Sequence, residues 1–198
     1  MKRTSLVLLA LAGWVGLTAL PAAEPAPVAR QVPAYVDDPA ALLPQDPAGR
    51  KELEARLAAF ERSSGIRILM QFHAKSPPAD EDKVAGAYMR ALSGRLGTLQ
   101  HGVLVVYFAD DPDWRVWIGD DLAPVFAGKP GTVKELTASG AIHDVKEALL
   151  TNAKAKADAA FGALRQAAPA DRPPTPAQYL RLQTDALLEA LMAKLGPK

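Results

Sequence analysis

The apolar run at residues 103–108 constrains the fold more than any other stretch of this chain. Its six residues contain no polar break, whereas a strand with one wet face alternates between apolar and polar positions. The next run does alternate, with Trp114, Val116 and Ile118 on one face. The link between the two runs is short and contains Asp-Pro, which favours a turn. The pattern therefore predicts an antiparallel hairpin whose first strand is covered on both faces.

Two helices and a further strand are predicted before this hairpin. The first helix starts at Asp46, and residues 66–72 after it alternate in the manner of a strand. The second helix has Asp80 as its cap, carries Val84, Tyr88, Ala91 and Leu92 at helical spacing, and ends at Gly94. A strand, a helix and a strand of these lengths form a right-handed parallel crossover. We therefore expect residues 66–72 to lie beside residues 103–108 and to run parallel to them.

The first 23 residues have the three parts of a secretory signal. Lys2 and Arg3 precede a long apolar run, and the run ends in small residues at Ala22 and Ala23. Cleavage after Ala22 or Ala23 predicts a periplasmic or secreted protein. The alternative is an uncleaved anchor, because the apolar run is nearly long enough to span a bilayer. No later stretch is long and apolar enough, so no membrane span is expected after signal cleavage.

Charge and cysteine content exclude several classes of protein. The chain has 198 residues and a formal net charge of +1. Loss of Lys2 and Arg3 with the signal lowers that charge to −1. Charges of both signs are interspersed, so the sequence lacks the basic footprint of a nucleic-acid-binding protein. The chain contains no cysteine, which excludes disulfides, thiolate zinc sites and a cysteine nucleophile.

The remaining chain divides into four segments by composition. Residues 24–33 form an Ala- and Pro-rich lead, 34–166 a folded domain, 167–176 a proline-rich linker and 177–198 an amphipathic helix. One side of that helix carries Leu180, Leu187, Leu188, Leu191 and Leu195. The helix is expected either to pack back on the domain or to meet a partner. Packing back is favoured, because an isolated apolar stripe is costly in water.

Short motifs follow one another in a recognisable order over residues 34–161. They are Tyr35-Val36-Asp37, Leu42-Leu43, Ser64-Gly65-Ile66, His101-Gly102-Val103-Leu104-Val105-Val106, and Arg115-Val116-Trp117-Ile118-Gly119 with Leu122. In this order the chain resembles the TPM domain family of thylakoid-lumen and bacterial envelope proteins. The resemblance implies an α/β fold, a three-layer α/β/α sandwich around a small mixed β-sheet, here with an added C-terminal helix. It also implies the activities proposed for that family, acid phosphatase and divalent-cation binding.

Carboxylates gather at both predicted ends of the sheet, and hard cations such as Ca²⁺ or Mg²⁺ take oxygen ligands. One candidate metal set comprises Asp37, Asp120 and Asp121. The second comprises Asp110, Asp111 and Asp113. The second set follows the second parallel strand, at the end where open α/β sheets bind ligands. Asp120 and Asp121 belong to the opposite end, and the long loop after Asp37 lets that residue reach either end.

Each of these carboxylates also has a purely structural explanation. Aspartates in the turn after residue 108 are expected to bond their own backbone, and Asp120 to cap the helix after Gly119. His73 and His101 stand at strand ends, where structural or solvated roles are favoured over catalysis. No phosphate loop and no Gly-x-Ser-x-Gly elbow is present. The catalytic residues, if the protein is an enzyme, are therefore left unknown.

Two functions are carried forward from the sequence. The first is an exported binding or accessory module of the cell envelope that assists an unknown envelope protein and holds a divalent cation. The second is a metal-dependent acid phosphatase of the TPM type. Phosphoryl transfer needs cationic groups around the transferred oxygens, and the sequence does not identify such a set.

Overall fold

The computed structural model describes residues 34–197. Its strands are β1 (Val36–Asp37), β2 (Arg67–His73), β3 (Gly102–Phe108) and β4 (Asp113–Ile118). Its helices are α1 (Pro47–Ser64), α2 (Ala87–Leu96), α3 (Ala123–Ala127), α4 (Val133–Ala138), α5 (Ala141–Ala167) and α6 (Pro176–Leu195), with a 3-10 turn at Asp120–Leu122. No helix among them is both long enough and apolar enough to cross a membrane. The predicted signal and lead lie outside the described residues.

The sheet contains four strands in the order in which they occur along the chain. β1, β2 and β3 are parallel, and β4 returns antiparallel to β3. His73 at the end of β2 lies opposite Phe108, and Tyr107 lies opposite Trp114 across the hairpin. The predicted parallel crossover and antiparallel hairpin are both confirmed.

Helices cover the sheet on both faces, which makes three layers. Val103 and Val105 of β3 belong to the larger core, which α1, α5 and α6 complete on one face. Leu104, Val106 and Phe108 belong to a smaller core with α2 on the other face. All five side chains are buried, since side chains along a strand alternate between the faces. The α/β sandwich and the doubly covered strand are confirmed.

The C-terminal helix α6 packs back on the domain, as predicted. Its buried residues are Leu180, Thr184, Ala186, Leu187, Leu188, Leu191 and Leu195. The helix begins with a capping box, in which Thr175 and Gln178 exchange hydrogen bonds between side chain and backbone. Each leucine buried in this way contributes about 1.5–3 kcal/mol of hydrophobic free energy. The apolar stripe of α6 is therefore part of the main core.

The start of α2 differs from the prediction. The helix begins at Ala87 after Gly86, which has φ +79°, so Asp80 is not its cap. The preceding loop is held elsewhere, because Asp82 accepts a hydrogen bond of 2.6 Å from Arg115 of β4. Val84, predicted on the apolar side of the helix, is 70% exposed. A long-range ion pair thus replaces the local capping that the sequence pattern predicted.

Basic side chains reach the backbone at both edges of the sheet. Arg50 of α1 donates a hydrogen bond of 2.7 Å to the carbonyl oxygen of Val36 on β1. Lys146 of α5 donates one of 3.3 Å to the carbonyl oxygen of Val116 on β4. Edge strands are sites of unwanted pairing with other chains, and these two contacts occupy edge carbonyl groups.

Candidate functional site

The structure divides the first candidate metal set between two ends of the sheet. Asp37 ends β1 and pairs with the second half of β2. Asp120 and Asp121 follow β4, whose last residue Ile118 pairs with Val103 near the start of β3. Three strand spacings of about 4.8 Å each also separate β1 from β4. Asp120 and Asp121 are thus neighbours, and Asp37 lies apart from them.

Backbone hydrogen bonds hold the segment that contains Asp120 and Asp121. The amide of Asp120 donates to the carbonyl oxygen of Leu99 at 3.1 Å, and the amide of Asp121 makes a similar bond. Oδ2 of Asp120 lies 3.9 Å from Arg90, while Oδ1 is buried with no hydrogen bond from the described residues. The predicted helix cap at Asp120 is wrong, because Gly119 occupies the cap position and no side chain caps the turn.

The second candidate set lies in and beside the β3–β4 turn, and its Asp110 accepts hydrogen bonds from within the turn and from the loop after β2. Oδ1 of Asp110 accepts hydrogen bonds from the amide and hydroxyl of Ser76 at 2.8 and 2.9 Å, and from the Asp111 amide at 3.0 Å. Desolvation raises the pKa of Asp110, but these hydrogen bonds outweigh it and the pKa is lowered. Asp113 lies 3.4 Å from the Arg115 guanidinium. Asp110 therefore ties the turn to the loop after β2.

Residues 34–197 contain no group of three or more His, Cys, Asp or Glu side chains that could hold one metal ion. The bound Ca²⁺ or Mg²⁺ expected from the sequence stays a prediction. Its remaining candidate places are the pair Asp120 and Asp121 and the turn that contains Asp110.

His73 lies at the same end of the sheet as that turn. Its ring stacks on Phe108, with centroids 5.7 Å apart, and its Nε2 lies 3.2 Å from Oε1 of Gln71. The other side-chain atom of that amide, Nε2 of Gln71, lies 3.5 Å from Asp37. His73, Gln71 and Asp37 therefore form a line of polar side chains along the sheet surface. These contacts fit a structural role for His73.

A separate cavity of about 410 Å³ opens between the β3–β4 hairpin and helices α5 and α6. Ligand sites in folded proteins have volumes of about 300–1,000 Å³ and combine apolar walls with a few polar groups. The hairpin residues that line the cavity are Tyr107, Pro112, Asp113 and Trp114. The helical residues are Glu147, Leu150, Thr151, Ala153, Lys154, Tyr179, Gln183 and Leu187. We name this space the hairpin cavity.

Aromatic rings form one wall of the hairpin cavity. The ring centroids of Tyr107 and Trp114 are 4.9 Å apart and the rings are tilted by 48°. Phe72 supports Trp114 from within the core in an edge-to-face contact at 5.9 Å. Burial raises the pKa of the Tyr107 hydroxyl, so that group is a neutral hydrogen-bond donor at neutral pH. Tyr179 supplies a third ring from α6.

Polar side chains surround the mouth of the hairpin cavity. Nε1 of Trp114 lies 3.5 Å from Oε1 of Gln183. Lys154 donates a hydrogen bond of 2.7 Å to Asp158, which also accepts one from the Tyr179 hydroxyl. Both hydrogen bonds lower the pKa of Asp158. Burial, followed by the contact with Asp158, raises the pKa of Tyr179. The ammonium group of Lys154 is therefore already paired with a carboxylate.

Sequence reasoning did not identify this cavity. Trp114 also has a packing role, through its contact with Phe72. The sequence feature that could have indicated the cavity is the hairpin register. That register places Tyr107 opposite Trp114 at the end of the sheet where ligands bind. The contributions of α5 and α6 depend on how those helices cross, and a local pattern does not contain that information.

A larger and shallower groove of about 840 Å³ runs between the loop at residues 41–45 and the proline-rich linker. Its lining is mostly alanine, leucine and proline, and Arg172 is the charged side chain among the lining residues. Specific ligand sites need several polar groups that converge on the ligand. The hairpin cavity meets that requirement better, despite its smaller volume.

Neither the family profiles nor the curated proteins gave a match to this sequence. Among solved structures, the fold is similar to the solution NMR structure of the N-terminal domain of a protein from P. gingivalis. The two chains are 16% identical, with a TM-score of 0.46, and the alignment covers 84% of this chain and 87% of the other. A similarity this distant carries no information about activity or ligands.

Proposed function

We propose that this chain is an exported binding module of the TPM type, an accessory protein of the cell envelope that holds a small ligand in the hairpin cavity. The observation that carries the proposal is the cavity itself. It lies at the end of the sheet where Tyr107 and Trp114 face each other across the hairpin. In open α/β sheets, this carboxyl-terminal end of the parallel strands is where ligands commonly bind.

The charges beside the cavity favour binding over phosphoryl transfer. A phosphoryl group needs unpaired cations around its oxygens. Lys154, the basic residue among those that line the cavity, is paired with Asp158 at 2.7 Å. An entering phosphate would have to displace that carboxylate. The phosphatase alternative from the sequence therefore gains no support from this site.

The binding proposal is tested by filling the cavity. Thr151 is an exposed residue of α5 that lines the cavity, and Asn152 is an exposed neighbour that does not line it. We expect Thr151→Trp to abolish the binding of small molecules detected by NMR shifts at Tyr107, Trp114 and Gln183. The matched variant Asn152→Trp should leave those shifts unchanged. Equal binding by both variants would remove the hairpin cavity as the site.

The phosphatase and cation alternatives need separate measurements. Hydrolysis of p-nitrophenyl phosphate in Mg²⁺ or Ca²⁺, lost in Asp120→Ala, would favour the enzyme. A Ca²⁺ titration followed by NMR separates the two candidate cation places, because shifts centred on Asp120 and Asp121 differ from shifts centred on Asp110. An Asp37→Asn variant should not alter shifts at Asp120, since Asp37 lies at the other end of the sheet.

A further inference from the structure

We propose that the hairpin cavity recognises an organic ammonium cation, such as a quaternary ammonium head group. This inference rests on the proposed function, because it names the chemical class of the ligand for that same site. It follows from the charges around the cavity and from the rings that line it.

The Glu147 carboxylate supplies negative charge at the wall of the cavity. Glu147 lines the cavity from α5, and the ammonium of Lys154, which also lines it, is paired with Asp158 at 2.7 Å. The Asp113 carboxylate is paired with Arg115 at 3.4 Å, and alternation along β4 places these two side chains on the face opposite Trp114. A cation that enters the cavity is attracted by the Glu147 carboxylate, whereas an anion is repelled by it.

The aromatic wall suits a cation with little hydration. A cation within about 6 Å of a ring centroid is attracted by the ring quadrupole, most strongly for Trp. Tyr107 and Trp114 form a tilted pair with centroids 4.9 Å apart, and Tyr179 lines the same cavity. Methylated ammonium groups lose little hydration on binding to such rings. A metal ion would lose far more, and the wall offers it aromatic carbon where it requires oxygen.

The test compares choline with its neutral isostere, 3,3-dimethyl-1-butanol, on the purified protein by NMR titration and calorimetry. We expect choline to bind roughly tenfold more tightly, a difference within the range of cation–π energies at partly desolvated sites. Glu147→Gln, a change at an exposed side chain, should weaken choline binding several-fold and leave binding of the isostere unchanged. Trp114→Leu should abolish binding, and Trp117→Phe, on the opposite face of the sheet, should have no effect.

The outcomes separate this inference from the proposed function. Two outcomes would overturn the assignment to organic ammonium cations and leave the cavity as the binding site. One is equal affinity for choline and the isostere, and the other is no binding of choline while another ligand shifts the NMR signals of Tyr107 and Trp114. Ligand binding that is unaffected by Thr151→Trp would overturn the proposed function as well. Sedimentation with phosphatidylcholine vesicles would assign the ammonium group to a lipid, and binding of choline without such sedimentation would assign it to a free compound.

Discussion

The backbone amide of Gly119 donates a hydrogen bond of 2.8 Å to the carbonyl oxygen of Gly102, which joins the end of β4 to the start of β3. A Cβ on Gly119 would lie 2.4 Å from the carbonyl oxygen of Gln100. Gly119 has φ −57°, which any residue adopts. The close approach of two backbone segments, and not an unusual backbone conformation, therefore requires glycine here.

We predict that Gly119→Ala destabilises the protein, because the added methyl group forces backbone apart in a packed region. The expected loss in free energy of unfolding is roughly 1–3 kcal/mol, measured by urea denaturation. Gly162→Ala is the matched control, since a Cβ at that position within α5 meets no atom within 4 Å. It should stabilise the protein by about 0.5–1 kcal/mol. Similar effects of both changes would contradict the close-approach explanation.

Leu188→Ala tests the role of the C-terminal helix. Leu188 is 0% exposed in the main core, so its truncation should lower the free energy of unfolding by about 2–5 kcal/mol. Leu164 of α5 is 42% exposed, and Leu164→Ala should change stability by less than about 0.5 kcal/mol. A small effect at Leu188 would instead favour a helix that is free to meet a partner protein.

Lys146→Met tests a pH dependence of stability. Burial lowers the pKa of Lys146, so the folded state releases its proton at a lower pH than the unfolded state does. Between the lowered pKa and the ordinary lysine value of about 10.4, the unfolded chain binds more protons, and stability rises with pH. Urea denaturation between pH 8 and 10 should therefore show that the stability of the natural protein, relative to that of the variant, rises with pH. If the curves of stability against pH are parallel for the two proteins, Lys146 has the same pKa in the folded and unfolded states.

The predicted signal is tested by the mass of the mature protein. Expression with the natural N-terminus in a Gram-negative host should give a periplasmic protein that begins at Ala23 or Glu24. Leu9→Arg, which interrupts the apolar run, should leave the precursor uncleaved. A full-length, membrane-bound product of the natural sequence would identify the segment as an anchor.

The sequence contained enough information for the sheet and not for the loops around it. Five of the six residues at 103–108 are buried and Tyr107 is half-buried, and this coverage of both faces followed from the unbroken apolar run. The start of α2 did not follow, because the pairing of Asp82 with Arg115 joins residues 33 positions apart. Capping rules describe local competition for backbone groups, and they contain no information about a contact of that range.

The candidate site was less predictable than the fold for the same reason. The separation of Asp37 from Asp120 depends on the short β1 pairing with β2 and not with β4, a choice that two residues cannot specify. The hairpin cavity depends on Tyr179 and Gln183 of α6 meeting Tyr107 of β3. Those contacts are set by the angle between packed helices, which local periodicity does not determine.

The placement of α6 in the main core has a consequence for biosynthesis. Leu187, Leu188 and Leu191 belong to α6, which follows every other described helix and strand along the chain, so a nascent chain that stops before α6 lacks the side chains that close its interior. Without that burial, the entropy cost of ordering the chain is not offset. We therefore expect the domain to fold only after α6 has been synthesised, which leaves time for an unfolded chain to meet other cellular factors.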